Sequence, residues 1–182
     1  SLLGGGTDYP EYFKDNQGAV LGFAINRYIY LGGLLTNDYV DYKYRLAYSK
    51  LETTSDLSGI EHPIVREVLL HFDVDRPIDF SFQADLPASA GLGSSSTFSV
   101  GMVQLVTSIL GKQESKMNRA KIAIHIDRDI LNENVGVQDH LHASFGSINR
   151  FDFNGQEINR KEIDLSHKII SKLENSMILV FT

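Results

Sequence analysis

The stretch Pro87-Ala88-Ser89-Ala90-Gly91-Leu92-Gly93-Ser94-Ser95-Ser96 decides the fold of this chain. The residues before it, 78–83 (IDFSFQ), alternate apolar and polar side chains and predict a strand. The residues after it, 95–110, carry apolar side chains at the spacing of a helix: Phe98, Met102, Leu105, Val106 and Ile109. The stretch therefore predicts a small-residue loop that leads from a strand directly into the N-terminus of a long helix.

A loop of this kind is suited to bind phosphate. The first turn of a helix leaves several N–H groups without intrahelical partners, and the aligned peptide dipoles attract an anion there. Gly91 and Gly93 permit a positive φ and a close approach of the backbone to a ligand, while the three serines supply hydroxyls. The alternative is a serine-capped turn before an ordinary core helix. The loop matches neither the Walker pattern nor the dinucleotide-binding fingerprint, since it has no Gly-Lys-Ser/Thr and no third glycine.

Composition limits the classes of protein to consider. The 182 residues are 42% hydrophobic and include ten phenylalanines, which suits one globular domain with a sizeable core. A net charge of −6 argues against a nucleic-acid partner, and no apolar run approaches the ~20 residues of a membrane span. The absence of cysteine excludes disulfides and, with no export leader, agrees with a cytoplasmic protein. His140 and His142, two apart, suit one face of a strand and make a poor zinc site.

The remaining pattern predicts an α+β fold. We expect a helix that begins at Pro63, a second long helix over 118–131 and a short helical turn at Tyr12-Phe13. Strands are predicted over 19–24, 27–35, 42–49, 147–153 and 177–182, with a hairpin turn at Asn154-Gly155. These elements form a mixed sheet with helices on one face. Because the chain opens and closes within predicted strands, we expect it to be a piece of a longer protein.

Two further segments carry candidate functional residues. In Gly4-Gly5-Gly6-Thr7-Asp8-Tyr9-Pro10 the glycines allow close approach, and Thr7 and Asp8 offer hydrogen bonds to sugar hydroxyls, unless Asp8 only stabilises its own turn. In Gly136-Val137-Gln138-Asp139 a carboxylate sits on a tight turn after a helix, as a general base requires. Taken alone, an aspartate on a turn is more often a cap or a hydrogen-bonding residue.

In this order, the Gly4–Pro10 segment, the phosphate loop and the Gly136–Asp139 turn resemble the GHMP kinases, the superfamily of galactokinase, homoserine kinase and mevalonate kinase. The runs Tyr48-Ser49-Lys50-Leu51-Glu52 and His62-Pro63-Ile64-Val65-Arg66-Glu67 are most similar to the branch that phosphorylates the anomeric hydroxyl of D-glycero-D-manno-heptose 7-phosphate. The resemblance spans essentially the whole chain.

The resemblance implies an ATP- and Mg²⁺-dependent sugar kinase with a ribosomal protein S5 domain 2-like fold. Residues 1–182 would form its N-terminal domain, and a C-terminal domain would be absent from this chain. Asp139 would be the catalytic residue that accepts the proton of the attacking hydroxyl. ATP would be bound by Pro87, Ala90, Gly91, Leu92, Gly93, Ser94, Ser95 and Ser96. The sugar phosphate would be bound by Gly5, Gly6, Thr7, Asp8 and Tyr9.

Ser95 and Asp127 would be the Mg²⁺ ligands, although most relatives have glutamate at the position of Asp127, and a helix-surface aspartate is the alternative. His140-Leu141-His142 also departs from the relatives, where glutamine and small residues are common. Lys50 and Arg66 are candidates to bind the phosphate of the substrate. Other functions remain open: a GHMP kinase of the fucose or galactose type, or a catalytically silent GHMP-fold binding protein.

Overall fold

The computed structural model of the protein describes residues 1–2, 4–37, 40–87 and 91–178. In chain order its regular elements are α1 (Pro10–Phe13), β1 (Gln17–Phe23), β2 (Ile29–Leu35), β3 (Tyr44–Ala47), β4 (Leu51–Thr54), α2 (Pro63–His71), β5 (Ile78–Ala84), α3 (Ser94–Ile109), α4 (Lys116–His125), α5 (Gln138–Phe145), β6 (Ile148–Asn154), β7 (Glu157–Glu162) and α6 (His167–Glu174). A 3₁₀ turn spans Leu57–Gly59, and a π-helical turn at Ile126–Ile130 extends α4. The α+β class predicted from the sequence is confirmed.

The strands form two sheets where the sequence predicted one. The four-stranded sheet has the order β2-β5-β3-β4 and is mixed, since β3 and β5 are parallel and the other pairs antiparallel. The three-stranded sheet, β1-β6-β7, is antiparallel. Strand β1 closely precedes β2 in the chain but pairs with β6, more than a hundred residues later. Pairing over that distance leaves no signal in the local pattern of residues.

Each sheet buries one face against helices. Strand β6 buries every second residue, Asn149, Phe151 and Phe153, as a strand with one face in the core does. Phe151 and Phe153 pack with Leu141 of α5 and Ala120 of α4 in the smaller core. The larger core packs the four-stranded sheet against α2, α3 and the end of α4, with Leu46, Val68, Phe80, Met102 and Ile126 almost wholly buried.

Most helices and strands predicted from the sequence are confirmed, with bounds that shift by at most two residues when the π-helical turn is counted with α4. Strand β4 and helices α5 and α6 were not predicted, and β7 was indicated only by the predicted hairpin turn at Asn154-Gly155. Helix α5 corrects two expectations: Asp139 lies in the first turn of a helix rather than on an isolated turn, and His140 and His142 are helical rather than in a strand. Of the predicted strand over 177–182, Met177 and Ile178 are irregular, and the remaining residues lie outside the described ranges.

No helix within the described ranges is both long and apolar enough to cross a membrane.

Candidate active site

The N-terminus of α3 presents free backbone N–H groups. Gly93 precedes the helix with φ 70° and ψ 27°, and the first intrahelical bond runs from the N–H of Thr97 to the Gly93 carbonyl at 2.9 Å. Helix α4, in contrast, is capped by Ser115, whose hydroxyl accepts from the N–H of Asn118. No side chain of the described residues caps α3, so the N–H groups at its start are available to an anion.

Both glycines of the loop adopt the positive φ expected from the sequence, 69° at Gly91 and 70° at Gly93. Ser94 is half-buried, Ser95 is exposed, and Ser96 is buried. The hydroxyl of Ser95 is therefore accessible at the tip of the helix. Ala90 lies outside the described residues.

Asp139 faces this loop. It is the second residue of α5, and a Cβ atom added to Gly93 would lie 2.9 Å from both Cγ and Oδ2 of Asp139. Only glycine leaves room for the carboxylate at this distance. The Asp139 carboxylate is half-exposed and makes no hydrogen bond or ion pair with another described side chain or backbone group. The structure thus brings together the two predicted features, a helix terminus suited to phosphate and an unpaired carboxylate.

A cavity of about 460 Å³ opens between these elements. Its walls come from the phosphate loop (Gly91 to Ser94), from Asp139 and His142 of α5, and from the connection between β1 and β2. Arg27, on that connection, is the one Lys or Arg among the described residues that line the cavity. Its guanidinium is a source of positive charge in the wall of the cavity.

Asp8 is wholly buried and connects two segments of the backbone. Its Oδ1 accepts from the N–H of Gly6 at 2.8 Å, and its Oδ2 accepts from the N–H of Gln138 at 3.1 Å. The Asp8 carboxylate packs against the backbone of Gly5 and Gly136. A side chain at Gly136 would collide with it, because a Cβ there would lie 2.0 Å from Oδ2 of Asp8. These contacts favour the interpretation in which Asp8 stabilises the turn and holds the start of α5. The predicted contact of Asp8 with sugar stays a prediction.

The neighbours of Asp8 also make structural contacts. The hydroxyl of Thr7 donates to the carbonyl of Ala19 and accepts from its N–H, at 3.0 and 3.1 Å, which ties the segment to β1. Tyr9 is half-buried, with the guanidinium of Arg128 5.9 Å from its ring centroid. Arg128 in turn donates to Glu11 and to the carbonyl of Val135. The Gly4–Pro10 segment is thereby fixed beside the start of α5.

Asp127 is buried beneath the site rather than on the helix surface. The hydroxyl of Ser99, on α3, lies 2.7 and 2.9 Å from its two carboxylate oxygens, and Nε2 of His140, on α5, lies 2.8 Å from Oδ2. Asp127 is 3% exposed and His140 is fully buried. Both oxygens therefore already have partners within the protein. The role of Asp127 as a Mg²⁺ ligand stays a prediction, and these contacts weigh against it.

The described residues contain no group of three or more His, Asp or Glu side chains arranged to hold a metal ion. Magnesium is commonly bound through one or two protein oxygens together with substrate phosphates and water, so such a group is not required for it. Of the two predicted ligands, Ser95 has the accessible side chain.

Lys50 and Arg66, the cations suggested for the substrate phosphate, do not line the cavity. Lys50 pairs with Glu61, and Arg66 pairs with Glu67 and donates to the carbonyl of Ile60.

Of the predicted loop residues, Pro87 is exposed at the start of the loop and is absent from the cavity wall, whereas Leu92 lines it. Arg27, Tyr28 and His142 line the cavity but were not predicted as site residues. They lie outside the recognised motifs, and only the tertiary fold brings them to the loop.

The fold and the site together define a class of protein: an α+β domain in which a glycine-rich loop and a helix N-terminus face a carboxylate. Comparison with known families specifies the class further. Residues 62–147 match the family described as GHMP kinases N terminal domain. This match agrees with the resemblance to the GHMP kinases that the motifs predicted.

Curated relatives agree with this assignment. The D-glycero-alpha-D-manno-heptose 7-phosphate kinase of Campylobacter jejuni subsp. jejuni serotype O:2 is 29% identical over 196 aligned positions, which cover all of this chain and 56% of the relative. The galactokinase of Thermosipho africanus is 26% identical, over 80% of this chain and 41% of the relative. This chain thus spans about half the length of the curated relatives it matches.

Solved structures show the same fold. A D-glycero-D-manno-heptose 1-phosphate kinase from Bacteriodes thetaiotaomicron superimposes with a TM-score of 0.87 at 24% identity, covering 96% of this chain and 60% of that one. Lactococcus lactis galactokinase, complexed with galactose, superimposes with a TM-score of 0.68 at 12% identity, over 87% of this chain and 45% of that one. At these identities the likeness is one of fold.

Proposed function

We propose that the protein is an ATP-dependent sugar kinase that transfers the γ-phosphoryl group of ATP to the anomeric hydroxyl of D-glycero-D-manno-heptose 7-phosphate. The observation that carries the proposal is the contact between Gly93 of the phosphate loop and the unpaired carboxylate of Asp139. The choice of sugar is supported by the heptose 7-phosphate kinase that aligns with the whole of this chain. Since the relatives are longer, we propose that a second, C-terminal domain completes the enzyme.

In this proposal the N-terminus of α3 binds the phosphates of ATP. Phosphoryl transfer depends chiefly on positioning and on stabilising the charge of the transferred group. The N–H groups of Ser94, Ser95 and Ser96 supply donors and the helix supplies its dipole, while Gly91, Leu92 and Gly93 let the backbone approach the phosphates. Pro87 and Ala90 stay predicted ATP-binding residues of this loop. Use of ATP also implies the cytoplasm as the compartment.

Asp139 accepts the proton of the attacking hydroxyl. Its carboxylate lies next to Gly93, the residue that precedes α3, so a hydroxyl bound to it is close to phosphates held at the start of that helix. The first turn of α5 fixes its position, and the hydrogen bond from the N–H of Gln138 to Asp8 fixes that turn. A base held within reach of the hydroxyl accelerates proton transfer by roughly 10²–10⁴-fold.

Mg²⁺ accompanies the nucleotide in this proposal and would neutralise charge on its phosphates when bound. The hydroxyl of Ser95 is the accessible protein ligand for it. Asp127 contributes through the buried contacts with Ser99 and His140 rather than as a direct ligand.

A second candidate function is a hexose kinase of the galactose type, which the galactokinase similarity over 80% of the chain favours. A catalytically silent binding protein is disfavoured by the unpaired carboxylate of Asp139 beside the loop.

The full-length protein, incubated with ATP, Mg²⁺ and a panel of sugars, tests the proposal. We expect turnover of heptose 7-phosphate at the anomeric carbon and little turnover of galactose, fucose or unphosphorylated heptose. Turnover of free hexoses but not of heptose 7-phosphate would reject the choice of sugar.

The variant Asp139→Asn should lose 10²–10⁴-fold in kcat and bind ATP as the parent does. An unchanged kcat would remove Asp139 from the mechanism.

A further inference from the structure

His142 is a buried polar side chain that lines the cavity without a hydrogen-bond partner. It is 7% exposed, and neither Nδ1 nor Nε2 has a partner among the described residues. The ring packs edge to face on Phe151, with centroids 5.1 Å apart, and over Gly22, where a Cβ would lie 2.6 Å from Nε2. A neutral imidazole has one donor and one acceptor, and leaving both unpaired when buried costs free energy.

The position of His142 relative to Asp139 points to the acceptor. The two residues lie three apart on α5 and both line the cavity, and residues at this spacing have Cβ atoms about 5–6 Å apart on one helix face. A sugar whose anomeric hydroxyl lies at Asp139 carries an adjacent hydroxyl that a neighbouring side chain on the same helix face can reach. The phosphates of ATP, in contrast, are placed at α3.

The chemistry of the imidazole also favours a hydroxyl over a phosphate. Burial lowers the pKa of His142 to about 4, against an opposing effect of Asp8. The ring is therefore neutral near pH 7. A hydroxyl can donate to one ring nitrogen or accept from the other, whereas a phosphate offers acceptors and is bound best by a cation such as Arg27.

We propose that His142 is a specificity-determining residue whose imidazole hydrogen-bonds a hydroxyl of the acceptor sugar adjacent to the one that Asp139 activates. This inference rests on the proposed sugar kinase function. It assigns His142 to recognition of the acceptor and gives it no part in proton transfer.

Steady-state kinetics of the full-length protein test the inference. His142→Phe keeps an aromatic ring on Phe151 but removes both polar atoms, and His142→Gln keeps a donor and an acceptor. We expect His142→Phe to raise the KM for heptose 7-phosphate by roughly 10–100-fold, with the KM for ATP within about twofold of the parent. His142→Gln should recover part of the loss. His167→Phe, on exposed α6, is the matched control and should leave both KM values unchanged.

Deoxy analogues of the sugar separate recognition from packing. An acceptor that lacks the hydroxyl bound by His142 should show the same KM with the parent and with His142→Phe. An unchanged sugar KM in His142→Phe, or an equal rise in the KM for sugar and for ATP, would overturn the inference while leaving the kinase function intact. If the parent itself neither binds nor phosphorylates any sugar in the panel, the proposed function fails, and this inference fails with it.

Discussion

The backbone of Gly93 turns left-handed at φ 70°, and its Cα faces the carboxylate of Asp139. Gly93 therefore satisfies two structural requirements. The positive φ is needed to bring the loop into α3, and the missing side chain is needed to let Asp139 approach. Gly111, at the other end of α3, has nearly the same φ of 67° but open space where a Cβ would stand. An alanine at either glycine strains the backbone, but only an alanine at 93 also displaces the Asp139 carboxylate.

At this residue we predict that Gly93→Ala reduces kcat by roughly 10–100-fold, because its methyl group pushes Asp139 from its position. Both Gly93→Ala and Gly111→Ala should destabilise the fold by about 1–2 kcal/mol through the left-handed backbone. Turnover and denaturant unfolding of the two variants check this. Equal kcat values in both would show that the contact between Gly93 and Asp139 has no part in the reaction.

Single residues also show what the sequence could predict of the site. The glycines at 91 and 93 and the carboxylate at 139 lie in motifs whose local chemistry indicates their role, and the structure brings them together. Asp8 was predicted to contact sugar, yet its partners, the N–H groups of Gly6 and Gln138, include one 130 residues away. His142 was noted only as part of a poor zinc site and as a departure from the family. Its burial against Gly22 and Phe151 follows from tertiary packing alone.

At the scale of elements, the site depends on three pieces of chain that meet beneath it. Ser99 belongs to α3, Asp127 to the π-helical turn after α4, and His140 to α5. The hydrogen bonds through Asp127 link α3 to α5, the helix that carries Asp139. The π-helical turn follows α4 directly, and π-helical turns occur often at functional sites.

We predict that Asp127→Asn lowers the free energy of unfolding by about 1–3 kcal/mol, even in the presence of a chelator. An amide oxygen can still accept from Ser99, but the amide nitrogen cannot accept from an Nε2–H group of His140 as the carboxylate can, so the buried pair is weakened. Thermal unfolding without Mg²⁺ measures the effect. The matched control is Asp129→Asn, an exposed carboxylate on the same turn paired with His125, for which a change below ~1 kcal/mol is expected.

The same experiment decides between the two roles considered for Asp127. If Asp127 is a direct Mg²⁺ ligand and has no structural role, Asp127→Asn will unfold at the same temperature as the parent when a chelator is present. It will also need a higher Mg²⁺ concentration for turnover. That result would contradict the claim that Asp127 acts through its buried hydrogen bonds with Ser99 and His140.

The elements predicted correctly are those with a strong local pattern. Helix α3 has sixteen residues with apolar positions at helical spacing, and α2 begins at a proline. Helix α5 was missed because its eight residues include two buried histidines and a buried serine, which read as polar in a sequence. Helix α6, over 167–174, has no buried residue and was missed as well. Strand β4 has only four residues, and it pairs with β3 through a tight connection.

At the scale of the molecule, the division into two sheets places the site. The cavity lies where α5, packed on the β1-β6-β7 sheet, meets the loop that leads out of β5 of the other sheet. The helix that carries Asp139 and the glycine-rich loop thus belong to different halves of the domain. The sequence predicted the loop and the carboxylate, but the number of sheets depends on pairing between strands far apart in the chain.

The most direct test of the central claim is a crystal structure of the full-length protein with a non-hydrolysable ATP analogue and heptose 7-phosphate. The account predicts phosphate oxygens within hydrogen-bonding distance of the N–H groups of residues 91–96, with the anomeric hydroxyl between the γ-phosphate and the Asp139 carboxylate. A triphosphate bound away from the N-terminus of α3, or a sugar whose anomeric hydroxyl does not reach Asp139, would contradict it.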